Sequence, residues 1–143
     1  MEKMEKAAAN SYSDINEGSS YSFDRKISRQ DVVDFAKLSG DFNPLHVDAE
    51  FGRKSQFKKN IAHGMLAASL FSTLVGMHCP GEKSLYMSQT LNFRMPIYYE
   101  DIVTVRGTVI SKNDSIKMIT LKTEILKNDK VAIDGEARVR VLG

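Results

Sequence analysis

After one short alternating segment, hydrophobic and polar positions keep a helical period until near residue 84 and a period of two beyond it, which separates a mainly helical half from a stranded one. Tyr21, Phe23, Arg25 and Ile27 fall on alternate positions, the pattern of a short half-buried strand. Ser28 then opens a capping box with Asp31, and Val32, Val33, Phe35, Ala36 and Leu38 give the following helix a broad apolar face that Gly40 ends. Asp48 is placed to cap a short second helix through about Lys54, and Ser55 to Asn60 is a polar, basic loop. Ile61 to Cys79 is apolar on nearly every side, as a helix surrounded by protein must be.

From Ser84 the period becomes two. Leu85, Met87, Gln89, Leu91, Phe93 and Met95 line one face of a long strand that Pro96 ends. Val103 to Val109, Ile119 to Ile125 and Val131 to Val141 supply three more strands, joined by turns at Lys112-Asn113-Asp114-Ser115 and Lys127-Asn128-Asp129-Lys130. A four-stranded meander is the simplest topology. The expected class is α+β, a single domain over residues 21–143 with an antiparallel sheet wrapped around a central buried helix, preceded by a flexible tail over 1–20.

Composition narrows the function classes. A chain of 143 residues can bury roughly two thirds of its unfolded surface and build a core unaided. Cys79 is the only cysteine, so no intrachain disulfide and no multi-thiolate metal site can form, which fits a reducing, cytoplasmic setting. A net charge of +2, evenly spread, does not point to nucleic acid. Neither the apolar segment, interrupted by His63, Ser69, Ser72, Thr73 and His78, nor the polar N-terminus reads as a membrane span or signal peptide. Three histidines at positions 46, 63 and 78 make no recognisable zinc pattern, so no metal is expected. The methionines at 65, 77, 87 and 95 read as core.

Candidate chemistry is concentrated in Ser39-Gly40-Asp41-Phe42-Asn43-Pro44-Leu45-His46, where a carboxylate and an imidazole lie five residues apart on a shaped loop. Pro44 forces Asn43 out of the helical region, so Asp41 and His46 cannot share one uninterrupted helix. In isolation, Asp41 and Asn43-Pro44 are ordinary turn residues. Gly64 opens the apolar helix, where free N–H groups and the positive dipole end favour an anion.

Phe35 to His46, reading F-A-K-L-S-G-D-F-N-P-L-H, resembles the signature of the (R)-specific enoyl-CoA hydratases of the MaoC-like dehydratase family. The resemblance continues through Ile61 to Ser72 and Tyr86 to Pro96. It implies a hot-dog fold and reversible hydration of trans-2-enoyl-CoA to (R)-3-hydroxyacyl-CoA, with no cofactor beyond the coenzyme A carried by the substrate. It also implies catalytic roles for Asp41 and His46, which hold one water, and for the Gly64 N–H, which polarises the thioester carbonyl. Asn43, His63, Ser72, Val75 and Arg94 are the implied substrate contacts, with Val75 along the acyl path. The implied assembly is a homodimer. A 3-hydroxyacyl-[acyl carrier protein] dehydratase, a hot-dog thioesterase and a non-catalytic acyl-CoA binder are the alternatives, in that order.

Overall fold

In the computed structural model, which describes residues 4–143, six antiparallel strands form one sheet curved around a short helical run. The strands are β1 (Ser20–Ile27), β2 (Ser84–Gln89), β3 (Asn92–Phe93), β4 (Asp101–Asn113), β5 (Met118–Lys127) and β6 (Lys130–Val141). Their order is β1-β4-β5-β6-β2, with β3 also on β6. The β4-β5-β6 meander forms as its pattern predicts. Asn128 and Asp129 adopt φ of 51° and 62°, the two left-handed residues of a hairpin turn that follows the strands' twist.

The strand over Ser84 to Met95 departs from the expected meander. β1 occupies the free edge of β4 from Ser20↔Thr108 to Ile27↔Asp101, so the Ser84 segment goes to the opposite edge, beside β6. It is also broken. A register shift lies between Tyr86 and Ser88, and the Thr90 carbonyl occupies the space where a side chain at Gly135 would begin. The break splits the predicted strand into β2 and β3 and leaves Leu85, Met87 and Phe93 exposed along this edge.

Helices α1 (Arg29–Ser39), α2 (Pro44–Val47), α3 (Ala49–Lys54), α4 (Gly64–Ala68) and α5 (Leu70–Thr73) precede β2. Ser28 and Asp31 make the expected capping box, and Gly40 closes α1 in the left-handed region at φ 79°. Within the apolar run Ile61 to Cys79 the helix begins at Gly64, the expected opening residue. Ile61 and Ala62 are held in extended form by a bridge to Tyr98 and by an Ala62 N–H bond to the Ile97 carbonyl. The run then passes through α5 into a π-helical turn over Leu74–His78. Phe71 and Leu74 are buried against Val103, Val105, Ile125 and Ile133 of the sheet. A Cβ on Gly107 would lie 2.7 Å from Leu74 Cδ2, so this glycine lets the helical run seat on β4.

The expected flexible tail is corrected in its described part. Ala8 N–H donates to the Met77 carbonyl and Asn10 N–H to the Pro80 carbonyl, which ties the strap to the end of the helical run. Ile15 is 0% exposed and packs with Val75, Val109 and Leu121, while Lys112 Nζ donates to the Tyr12 and Ile15 carbonyls. One apolar side chain and a few backbone bonds suffice to hold a segment whose composition is polar. Residues 1–3 lie outside the described part. No helix among the described residues is long and apolar enough to cross a membrane.

Candidate active site

The expected loop carrying Asp41 and His46 is partly helical. Asn43 caps α2, its Oδ1 accepting from Leu45 N–H at 3.0 Å, and Pro44 takes the first helical position, where its missing N–H costs nothing. His46 therefore sits in a helical turn and Asp41 just before its cap. Asp41 Oδ1 accepts from Asn43 N–H at 3.1 Å, and Asp41 N–H donates to Ser39 Oγ.

Two elements that the sequence did not single out fix this turn. The Asn60 amide, 9% exposed, donates from Nδ2 to the carbonyls of Pro44, Leu45 and Asp48 at 3.3, 2.9 and 2.9 Å. Tyr99 donates its hydroxyl to the His46 carbonyl. Gly52 in α3 lies against the clamp, where a Cβ would be 2.5 Å from Asn60 Nδ2. Asn60 was readable only as part of a basic loop. An asparagine at the end of a polar loop, next to an apolar run, is the sole signal that its amide goes inward.

His46 Nδ1 lies 2.8 Å from the Ile61 carbonyl. A ring nitrogen facing a carbonyl oxygen must carry the proton, so the neutral ring presents Nε2 as its free lone pair. His63 lies with its ring centroid 4.0 Å from that of His46 and is 2% exposed. Its Nε2 donates to the Asp41 backbone carbonyl at 2.9 Å, which leaves Nδ1 buried without a partner among the described residues. Asp41, His46 and His63 each offer an atom within 4.8 Å of the others. In a tetrahedral zinc shell the ligand atoms stand about 3.4 Å apart, so this group is looser than such a shell.

His46 and His63 form part of the wall of a cavity of about 500 Å³ that Gly64, Met65, Phe93 and Met95 continue. Met65 and Met87 are exposed rather than core, whereas Met95 packs against the core cluster as expected and also lines the cavity. Gly64 is the first residue of α4, and a Cβ there would lie 2.7 Å from the Phe93 ring, so a side chain would press on that ring. The first N–H groups of a helix have no intrahelical acceptor and face outward from its positive end. Arg94 also lines the cavity. Its Nε donates to Asp134 Oδ2 at 2.8 Å, a bond that holds the Asp134 carboxyl below the usual carboxylate range and raises Arg94.

Three anticipated contacts lie outside the cavity wall: Asn43, which caps α2, and the two that follow. Ser72 is exposed on α5 and Val75 is 1% exposed in the core cluster with Ile15, and neither lines the cavity. For Val75 the π-helical turn, absent from the sequence reading, accompanies its place in the core. Cys79 is buried, and burial pushes its thiol up to about 11, which keeps it protonated and unreactive.

The profile of the MaoC like domain matches residues 12–131. An (R)-specific enoyl-CoA hydratase of Rhodospirillum rubrum is 40% identical over 130 residues, 91% of this chain and 90% of that protein. A mitochondrial 3-hydroxyacyl-[acyl-carrier-protein] dehydratase of Arabidopsis thaliana is 37% identical over 117 residues, 79% of this chain and 69% of that one. The unliganded R-hydratase structure from Pseudomonas aeruginosa superposes with a TM-score of 0.91 at 31% identity, covering 95% of this chain and 88% of that one. The sheet wrapped on its helical run is accordingly the hot-dog fold, and the chain belongs to the MaoC-like domain family.

Proposed function

We propose that this protein reversibly hydrates trans-2-enoyl-CoA to (R)-3-hydroxyacyl-CoA. The observation that carries this reading is the meeting of Asp41 and His46 beside a cavity whose wall contains the N-terminal glycine of α4. A water held between the Asp41 carboxylate and His46 Nε2 adds its oxygen to the β carbon. The pair takes one proton from that water and returns one to the α carbon, so protons balance and the reverse reaction exchanges the roles. Negative charge that develops on the thioester oxygen meets the Gly64 N–H, a preorganised donor of the kind worth about 3 kcal/mol. His63 holds the Asp41 main chain, and Asn43 holds the turn, so their part is orientation.

The Arabidopsis relative supports a second reading, dehydration of a 3-hydroxyacyl group on an acyl carrier protein by the same pair. Exposed Leu85, Met87 and Phe93 beside the unpaired edge of β2 support a homodimer joined at that edge. Crotonyl-CoA tests the reading: enoyl absorbance should fall, the product should be (R)-3-hydroxybutyryl-CoA, and Ellman's reagent should find no free thiol. Thiol release without loss of the enoyl group would make the protein a thioesterase. A kcat/KM higher on the carrier-protein thioester than on the CoA thioester would select the second reading.

A further inference from the structure

Beyond the reacting centre, positive charge collects around one lip of the cavity. Phe57 contributes to the wall, while the next two residues, Lys58 and Lys59, are exposed. Lys58 adopts φ 66°, an uncommon left-handed conformation for a lysine, and its N–H donates to the Ser55 carbonyl in the turn that holds it. Lys59 Nζ stands 4.5 Å from the Tyr98 ring centroid, and Lys127 Nζ stands 4.6 Å from the same centroid. The two ammonium groups are therefore within about 9 Å of each other, inside one screening length. Lys127 is only 15% exposed and also donates to the carbonyl of Pro96, a wall residue.

Lys127 is paired with Asp101 at 2.8 Å and Arg94 with Asp134 at 2.8 Å, whereas neither Lys58 nor Lys59 has a carboxylate partner among the described residues. A single exposed lysine over a tyrosine gains only about 0.5–1 kcal/mol. Lys127 already has Asp101 as its counter-ion, so the cation at this ring without a carboxylate partner among the described residues is Lys59. We propose that Lys58 and Lys59, backed by Tyr98 and Lys127, form a phosphate subsite at the cavity mouth that takes the nucleotide phosphates of coenzyme A. This deepens the hydratase reading, and rests on it for the identity of the phosphate carrier. Lysine suits the task because an ammonium on a flexible stem meets phosphate as a point charge and needs no fixed fork.

The test is calorimetric binding of coenzyme A and of pantetheine, which lacks the phosphates, to the full chain and to Lys59→Gln and Lys59→Glu. Coenzyme A affinity should fall about fivefold in Lys59→Gln, as for one exposed charge-assisted contact, and further in Lys59→Glu. Pantetheine affinity should not move, and added salt should weaken coenzyme A binding more steeply in the unmodified protein than in Lys59→Glu. Unchanged coenzyme A affinity in both variants, or an equal loss for pantetheine, overturns the subsite. Because binding is read without turnover, a protein that binds coenzyme A through Lys59 yet does not hydrate crotonyl-CoA would overturn the hydratase reading and leave the subsite standing.

Discussion

Replacing Asn60 by alanine removes the clamp beneath His46, and its cost can be worked out from the hydrogen bonds. The amide has two N–H donors facing three carbonyls, so at most two good bonds are lost. Each carbonyl keeps another donor: Asp48 N–H on Pro44, Ile61 N–H on Leu45 and Gly52 N–H on Asp48. No buried acceptor is orphaned, so the net value of two bonds applies rather than the larger penalty for an unsatisfied group, giving about 2 kcal/mol. For a chain of this length that is a fall in Tm of about 4–8 °C. Hydration should suffer more than stability, because α2 carries the imidazole, and small misplacements of reacting groups cost about a hundredfold.

Asn60→Asp separates bonding from charge. Its carboxylate would face three carbonyl oxygens in a buried position, so its folded pKa must rise above the unfolded value of about 3.9. The charge penalty is absent below the unfolded pKa and grows as pH rises to the folded one. At neutral pH Asn60→Asp should therefore melt below Asn60→Ala, and the gap should narrow as pH falls towards 4. Thermal melts by circular dichroism across pH, with crotonyl-CoA kinetics on the same samples, read both effects. A Tm within a degree of the unmodified protein together with unchanged kcat would refute the clamp.

Gly52→Ala should loosen the same clamp by pushing on Asn60 Nδ2, and in a double-mutant cycle with Asn60→Ala the two losses should sum to less than their separate values, as chemical denaturation would show. Ile15→Ala should cost about 2–5 kcal/mol in urea unfolding, the range for a fully buried aliphatic residue, whereas an unattached tail would cost nothing. The Arg94 bond depresses the Asp134 pKa, so its contribution to stability is present above the unfolded value and lost as pH falls through the lowered folded one. Asp134→Asn should accordingly flatten the acid limb of the stability curve below about pH 4.

Local chemistry made the elements legible, and long-range pairing hid the rest. Ser28 with Asp31, Gly40 and the Asn128-Asp129 turn each act within a few residues, and each stands where the sequence places it. The edge taken by β2 depends on β1 having claimed β4, a contest between segments about 80 residues apart that no periodicity records. Asp41 and His46 were readable as a motif, and Gly64 as a helix start. His63 as the holder of Asp41 was not, because its bond joins a buried ring to a main-chain oxygen 22 residues away. Ser72 and Val75 both lie outside the cavity wall, and Val75 falls in a π-helical turn that helical spacing in the sequence does not reveal.

If Asp41 and His46 together activate one water, removing either should abolish most of the hydration. The direct measurement is kcat for hydration of crotonyl-CoA by Asp41→Asn and His46→Ala, with melting curves to establish that each still folds. Both side chains lie outside the core, so stability should change little, while kcat should fall about 10²–10⁴-fold in each, the span of a lost acid–base group. The double variant should be hardly slower than either single one, because the two act as a unit. Near-normal turnover in either folded variant would show that the pair does not activate the water.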